Sequence, residues 1–177
     1  MKTRETRELK QFLTFDIAGE EYAISVLKVR EILEYDVVTP VPNVPASIRG
    51  VMNLRGQVVP IIDLAVKFGL PRTQTGRTTC NIVVDVSLEG EDAVMGIMAD
   101  PVKQVIDLVA DEIEPPPAFG TSVHVDYLQG MGKADKRFVL ILDLDKLLTT
   151  DELLKPEQAE AAMVEVAPTE ASEAALP

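Results

Sequence analysis

The hydrophobic and polar residues follow the two patterns that β-strands show, an alternation or a short continuous apolar run. Such segments lie at 11–19, 20–26, 58–64, 81–88, 91–99 and 138–144. The first two predict a hairpin that turns near Gly19, and 81–99 predicts another that turns near Gly90, because glycine readily adopts the backbone conformations of tight turns. The pattern therefore predicts a mainly β protein.

Two other segments are predicted to form short helices. One is 26–34, and the other is 144–154, which has leucines near helical spacing at positions 144, 147, 148 and 154. Residues 37–45 contain three prolines, which exclude a helix interior and a central strand there. We expect a few short helices beside the strands.

Part of the apolar pattern occurs twice. Residues 48–64 match residues 128–144 without a gap, at an offset of 80. Similar β-rich segments match by chance, but a shared glycine and a shared Asp-Leu pair are not generic. The matched pairs include Gly50 and Gly130, Val59 and Val139, Ile61 and Ile141, and Asp63 and Asp143.

A second match, at an offset of 73, places residues 23–32 on residues 96–105. The two matches have the same order and nearly the same separation, which indicates an internal repeat. We predict two similar small β-barrels, at about 12–78 and 79–150, within one domain at 9–154. Units of about 65 residues are marginally stable alone, so the two barrels should pack on each other.

The charge is unevenly distributed. The chain carries a net charge of −12, and residues 151–177 hold seven acidic residues against one lysine. Nucleic acids and anionic membranes are bound by clustered Lys and Arg, so this composition argues against both partners. Residues 155–177 lack aromatic residues and isoleucine, which predicts a disordered acidic tail. Residues 1–8 are expected to be a flexible N-terminus.

The single cysteine, Cys80, excludes a disulfide within the chain and fits a reducing cytosol. The N-terminus shows no apolar segment of the kind found in signal peptides. No apolar run approaches the roughly 20 residues of a membrane span. We expect a cytoplasmic protein without direct membrane insertion.

Few residues suit catalysis or metal binding. Cys80 and His124 are the only residues of their types, and neither zinc-ligand spacing nor a glycine-rich phosphate loop is present. The sequence therefore predicts no metal and no cofactor. Asp63 and Asp143 end the matched strands, where aspartate commonly caps a following helix or turn. The alternative is that they serve as acid and base in a small carboxylate-dependent enzyme.

The remaining signals indicate a binding surface. Arg55 falls on Asp135 in the repeat, so the motif Asn-Leu-Arg-Gly occurs only in the first copy. Arg55 either solubilises a turn, meets a carboxylate on a partner, or pairs with Glu31. Four apolar residues at matching positions either line a cleft between the barrels or belong to the core. These are Val29, Ile32, Val102 and Val105.

Four segments in this order resemble the CheW family of bacterial chemotaxis coupling proteins. They are EEYAISVLKVREIL, IRGVMNLRGQVVPIIDL, MGIMADPVKQVI and the pair YLQGMG and FVLILDLDKLL. The resemblance implies two SH3-like five-stranded barrels. It also implies a non-catalytic adaptor that links the helical-hairpin tip of chemoreceptors to the regulatory domain of the histidine kinase CheA at membrane-bound receptor arrays. A coupling protein of a non-flagellar pathway, such as twitching motility or development, is the alternative.

The resemblance places Val29, Glu31 and Arg55 at receptor-contacting positions. Together with the rest of the motif and the apolar cleft positions, it predicts a receptor-binding surface, while the kinase contacts, on exposed apolar barrel ends, stay unassigned. The predicted receptor-binding residues are Val29, Glu31, Ile32, Gly50, Asn53, Arg55, Gly56, Val102 and Val105.

Overall fold

The computed structural model describes residues 9–36, 38–116, 125–134 and 136–148. The predicted flexible N-terminus, the predicted acidic tail and His124 lie outside the described residues. The strands are β1 (Leu9–Ile17), β2 (Glu20–Ser25), β3 (Val29–Glu34), β4 (Ile48–Leu54), β5 (Gln57–Ile62), β6 (Cys80–Leu88), β7 (Glu91–Ala99), β8 (Val102–Val109), β9 (Leu128–Ala134) and β10 (Arg137–Leu142). The helices are α1 (Leu64–Lys67) and α2 (Leu144–Leu147), and short 3-10 turns occupy Val26–Lys28, Ala110–Glu112 and Val125–Tyr127.

The strands form two five-stranded sheets, which confirms the predicted all-β class with few short helices. Sheet A has the order β8-β1-β2-β10-β9, and sheet B has the order β3-β6-β7-β5-β4. The predicted division of the barrels at about 78/79 is wrong. Sheet B takes every strand from 29 to 99, and sheet A combines the strands on either side of that range.

The internal repeat itself agrees with the strand pairing. Replacing β1–β5 by β6–β10, and the reverse, converts the order of one sheet into that of the other. Ile61 pairs with Gly96 in sheet B, and the residues at the predicted offsets, Ile141 and Ala23, pair in sheet A. Each sheet therefore contains the first two strands of one repeat and the last three of the other. A repeat alignment finds equivalent strands, but it does not tell which copies pair.

The predicted helix at 26–34 is wrong, because only Val26–Lys28 is helical and the rest is β3. Val29 and Ile32 are three residues apart, a spacing that a helix also produces, but here it has a different origin. Val29 pairs with Val84 and Ile32 with Ile82, so β3 has one extra residue between the two pairs. Such a β-bulge brings residues three apart onto one face of a strand, which imitates a helical period. Of the other predicted helix, 144–154, the structure shows α2 at Leu144–Leu147, and residues 149–154 lie outside the described residues.

The main apolar core lies between the sheets, where Phe15 and Ile24 of sheet A join Ile82 and Ile97 of sheet B. Each sheet also has a smaller cluster of its own. The members include Phe12, Val139 and Ile141 in sheet A, and Val59, Ile61 and Met98 in sheet B. The two sheets therefore pack together, as the small size of each unit requires.

Asn81 is a polar residue inside sheet B. Its side chain is fully buried, and neither its amide nitrogen nor its oxygen has a hydrogen-bond partner among the described residues. Its strand neighbours are Leu33 and Met98. The corresponding residue of sheet A is Phe12, whose neighbours are Ile106 and Ser25. An orphaned buried amide destabilises a protein by about 1–3 kcal/mol.

Replacing Asn81 with valine is therefore expected to raise the free energy of unfolding by about 1–2 kcal/mol, because it removes the orphaned amide and introduces a β-branched side chain, which suits a strand. Urea denaturation followed by circular dichroism measures the change. The variant Asn81→Ser, which keeps a buried polar group, serves as the control and should gain no such stability. A lower midpoint for Asn81→Val would show that the amide has a stabilising partner.

Candidate functional site

The turn between β4 and β5 carries Arg55, whose guanidinium group binds the Glu31 carboxylate on β3 through two hydrogen bonds. Nη1 lies 2.9 Å from Oε1, and Nη2 lies 3.0 Å from Oε2. The Arg55 side chain is 74% exposed and that of Glu31 is 23% exposed. Of the roles that the sequence left open for Arg55, the structure shows the pair with Glu31.

The backbone of the turn accounts for the motif Asn-Leu-Arg-Gly. Both central residues of this two-residue turn have left-handed backbone angles, with φ of 51° at Arg55 and 86° at Gly56. This is the preferred form of a two-residue β-hairpin connection, and glycine adopts it without strain. The Asn53 side-chain oxygen accepts a hydrogen bond from the Gly56 N–H at 2.8 Å. The turn thus places Arg55 within reach of Glu31 on β3, the strand at the other end of the order of sheet B.

Each partner of the pair holds the other in its charged form. The hydrogen bond from Arg55 lowers the pKa of Glu31, and Glu31 raises the pKa of Arg55. Since the Glu31 pKa is lowered, the contribution of the pair is present at neutral pH and is lost as the pH falls through that pKa. Both residues are accessible to solvent, so the pair adds little to the free energy of unfolding. Its main effect is to fix the orientation of the two side chains.

The four apolar residues of the predicted cleft divide into two kinds. Val29 and Val102 are half-buried and pack against the core between the sheets. Ile32 is 44% exposed and Val105 is 52% exposed, although both pair with residues of that core. They lie on β3 and β8, the terminal strands of the two sheets. One residue of each sheet therefore belongs to the core margin, and one is an accessible apolar side chain.

Gly50, one of the predicted receptor-binding residues, is buried in β4, where it has a packing role. A Cβ atom at this position would overlap the Thr39 carbonyl oxygen. Thr39 and Val51 exchange two backbone hydrogen bonds of 2.8 Å, which hold the proline-rich connector against the strand. The repeat explains Gly130 in the same way, since a Cβ there would lie 2.9 Å from the Glu114 carbonyl oxygen. Gly56, in contrast, is exposed.

The aspartates at the ends of the matched strands cap helices, as one of the two sequence alternatives predicts. Asp63 caps α1 and accepts a hydrogen bond from the Ala65 N–H at 3.1 Å, and Asp143 caps α2. Asp63 also accepts three further hydrogen bonds, from Arg49 and from the backbone and side chain of Thr73. Since Asp63 is completely buried, these contacts give it a structural role.

Cys80 lacks the environment of a nucleophile. Burial, together with the charges of Asp100 and Glu34, raises the pKa of its thiol, whereas a nucleophilic cysteine needs a lowered pKa. Within the described ranges, no three His, Cys, Asp or Glu residues come together as metal ligands.

Sequence reasoning missed an apolar pocket of about 260 Å³ at one end of sheet A. Leu27, which is 93% exposed, and Leu9, which is 63% exposed, are among its lining residues. Leu27 lies in the segment 26–34 that was predicted as a helix, and no local pattern there signals that its side chain is exposed. The remaining lining residues are Lys10, Gln11, Phe12, Ser25, Val26 and Gln129.

Comparison with known proteins identifies the family. The family model for the CheW-like domain matches residues 11–152. The chain belongs to the CheW family. It is 41% identical to the chemotaxis protein CheW of Klebsiella aerogenes over 144 residues, which cover 81% of this chain and 84% of that protein. It is 34% identical to the chemotaxis protein CheW of Helicobacter pylori, with 85% and 88% of the two chains covered.

The fold agrees with this CheW assignment. The crystal structure of the scaffolding protein TtCheW from Thermoanaerobacter tengcongensis superposes with a TM-score of 0.70 at 28% identity, over 83% of this chain and 92% of that chain. The CheW family is a family of adaptors, so the chain is an adaptor of the chemotaxis type. None of the helices in the described part of the chain is long and apolar enough to cross a membrane.

Proposed function

We propose that this CheW-family protein couples the cytoplasmic tips of chemoreceptors to the histidine kinase CheA, without catalysis of its own. The observation that carries the proposal is the Glu31–Arg55 pair, which lies at motif positions that the resemblance assigns to receptor contact. The names of the relatives, chemotaxis protein CheW and a scaffolding protein, support the same role. The protein would act in the cytoplasm and be recruited to membrane-bound receptor arrays.

The accessible residues fit a helical partner. A receptor hairpin would place an apolar face on Ile32 and Val105, in the mode in which an amphipathic helix occupies a groove. The Glu31–Arg55 pair would add polar contacts, because a guanidinium group has five donors and Glu31 engages two of them. Val29 and Val102 would support the floor of this surface from the margin of the core.

The first test replaces Arg55 with alanine. The variant is expected to bind a purified chemoreceptor cytoplasmic fragment about tenfold more weakly or worse, since a well-placed arginine at an interface is often worth more than 1 kcal/mol. Binding to CheA is expected to stay unchanged. Isothermal titration calorimetry with each partner measures both affinities, and circular dichroism checks the fold.

The matched control is Arg77→Ala, which removes an exposed arginine between α1 and β6 and should leave both affinities unchanged. The double charge swap Arg55→Glu with Glu31→Arg separates two roles. Recovery of receptor binding would show that the pair matters as a unit, whereas persistent loss would show that Arg55 itself meets the receptor. Equal receptor affinity of wild type and Arg55→Ala would remove the pair from the interface.

A further inference from the structure

We propose that Asn53 is a positioning residue, which holds the β4–β5 turn in the one conformation that directs Arg55 to Glu31. As a receptor-binding role, this rests on the function proposed above. Asn53 would then act on the receptor through Arg55, and not by the direct contact that the motif suggested.

The geometry gives each motif residue one task. Arg55 has a left-handed backbone, with φ of 51°, which is strained for a residue with a side chain. The Asn53 side-chain oxygen accepts a 2.8 Å hydrogen bond from the Gly56 N–H and thereby closes the turn around Arg55. Asparagine is suited to this task, because its short side chain reaches the backbone of a turn that it precedes. With the turn closed, both terminal nitrogens of Arg55 reach Glu31.

The second repeat shows that the fold does not require this arrangement. Its hairpin has the same length, since β9 ends at Ala134 and β10 begins at Arg137, as β4 ends at Leu54 and β5 begins at Gln57. Yet the residues that correspond to Asn53, Arg55, Gly56 and Glu31 are Lys133, Asp135, Lys136 and Gln104. At these four positions sheet A thus lacks the asparagine acceptor, the arginine, the glycine and the glutamate of sheet B. A hairpin of this length therefore forms without the set, which leaves the set in sheet B available for a task other than folding.

The test measures the pKa of Glu31 by carbon-13 NMR titration of its carboxyl group, in the full-length protein at low ionic strength. Four proteins are compared: wild type, Arg55→Ala, Asn53→Ala and Asn53→Asp. In wild type the Glu31 pKa is expected below its ordinary value, and in Arg55→Ala it should return towards that value. In Asn53→Ala the Glu31 pKa should move at least half of the way from its wild-type value to its value in Arg55→Ala. Asn53→Asp, which keeps an acceptor oxygen, should stay near wild type.

This readout separates positioning from general stability, because a loosely folded hairpin would also lower the thermal midpoint, whereas all four proteins are expected to unfold at similar temperatures. A wild-type Glu31 pKa in Asn53→Ala would overturn the inference. So would a value in Asn53→Asp equal to that in Asn53→Ala.

Receptor binding is then measured with the same variants and the purified cytoplasmic fragment. Parallel losses of affinity and of the Glu31 pKa shift support the inference. Weaker binding by Asn53→Ala with an unchanged Glu31 pKa would show direct contact and overturn it. If wild type binds no receptor fragment, the proposed function fails, while the NMR titration still decides whether Asn53 positions Arg55.

Discussion

Replacing Asp63 with alanine is expected to lower the free energy of unfolding by about 3–5 kcal/mol, whereas the same change at Asp143 should cost about 1 kcal/mol. The two residues occupy equivalent positions of the repeat, and both cap a four-residue helix. Their surroundings differ. Asp63 is completely buried and lies 3.0 Å from Nη1 of Arg49, whose side chain is only 10% exposed.

The large effect at Asp63 follows from what the substitution leaves behind. Arg49 would remain in the interior with a charge that has lost its carboxylate, and a broken buried ion pair costs far more than a lost cap. The Thr73 hydroxyl and N–H, which lie 2.6 and 2.9 Å from the Asp63 oxygens, would lose their acceptor as well. Among the described residues, the Asp143 side chain accepts only the hydrogen bond from the Lys146 N–H, and the residue that corresponds to Arg49 is Gln129.

Urea denaturation of wild type, Asp63→Ala and Asp143→Ala measures the difference. A fourth protein, the double variant Arg49→Met with Asp63→Leu, removes both charges. It should recover part of the lost stability, since a protein whose buried ion pair is replaced by apolar residues is often no less stable. Equal losses at the two aspartates would refute the buried-pair argument. A carboxylate-dependent enzyme would instead lose turnover while remaining folded.

Strands β1, β2, β5, β6, β7 and β10 could be predicted from the sequence because alternation and apolar runs are local signals. The hairpins near Gly19 and Gly90 and the capping role of Asp63 are examples, and all three are present in the structure. The partner of each strand could not be predicted. Equivalent strands of the two repeats have the same pattern, and nothing local tells β2 whether to pair with β5 or with β10.

The candidate site was only partly predictable. Pairing with Glu31 was one of three roles suggested for Arg55, because a carboxylate and a guanidinium group attract each other when the fold brings them together. The burial of Gly50 was not predictable, because it depends on a connector that returns to β4 through tertiary packing. The bulge in β3 was hidden as well, since its apolar spacing equals that of a helix.

Replacing Gly50 with alanine is expected to lower the free energy of unfolding by about 3 kcal/mol, as the sum of overpacking and backbone strain. The added Cβ would overlap the Thr39 carbonyl oxygen and lie 2.9 Å from the Thr39 carbonyl carbon. These are backbone atoms, held by two 2.8 Å hydrogen bonds between Thr39 and Val51, so they cannot move aside as a side chain would. The φ of 153° at Gly50 adds strain for any residue with a Cβ.

Two glycine variants separate the contributions at Gly50. Gly90→Ala has a positive φ of 82° with no atom within 4 Å of the new Cβ, so it carries the backbone strain alone and should cost about 1 kcal/mol. Gly130→Ala has the steric contact without a positive φ, and part of it is with the flexible Ile113 side chain, so its loss should be intermediate. Thermal and urea unfolding of the three variants rank them. A loss at Gly50 no larger than that at Gly90 would show that the connector moves aside to accommodate the added Cβ atom.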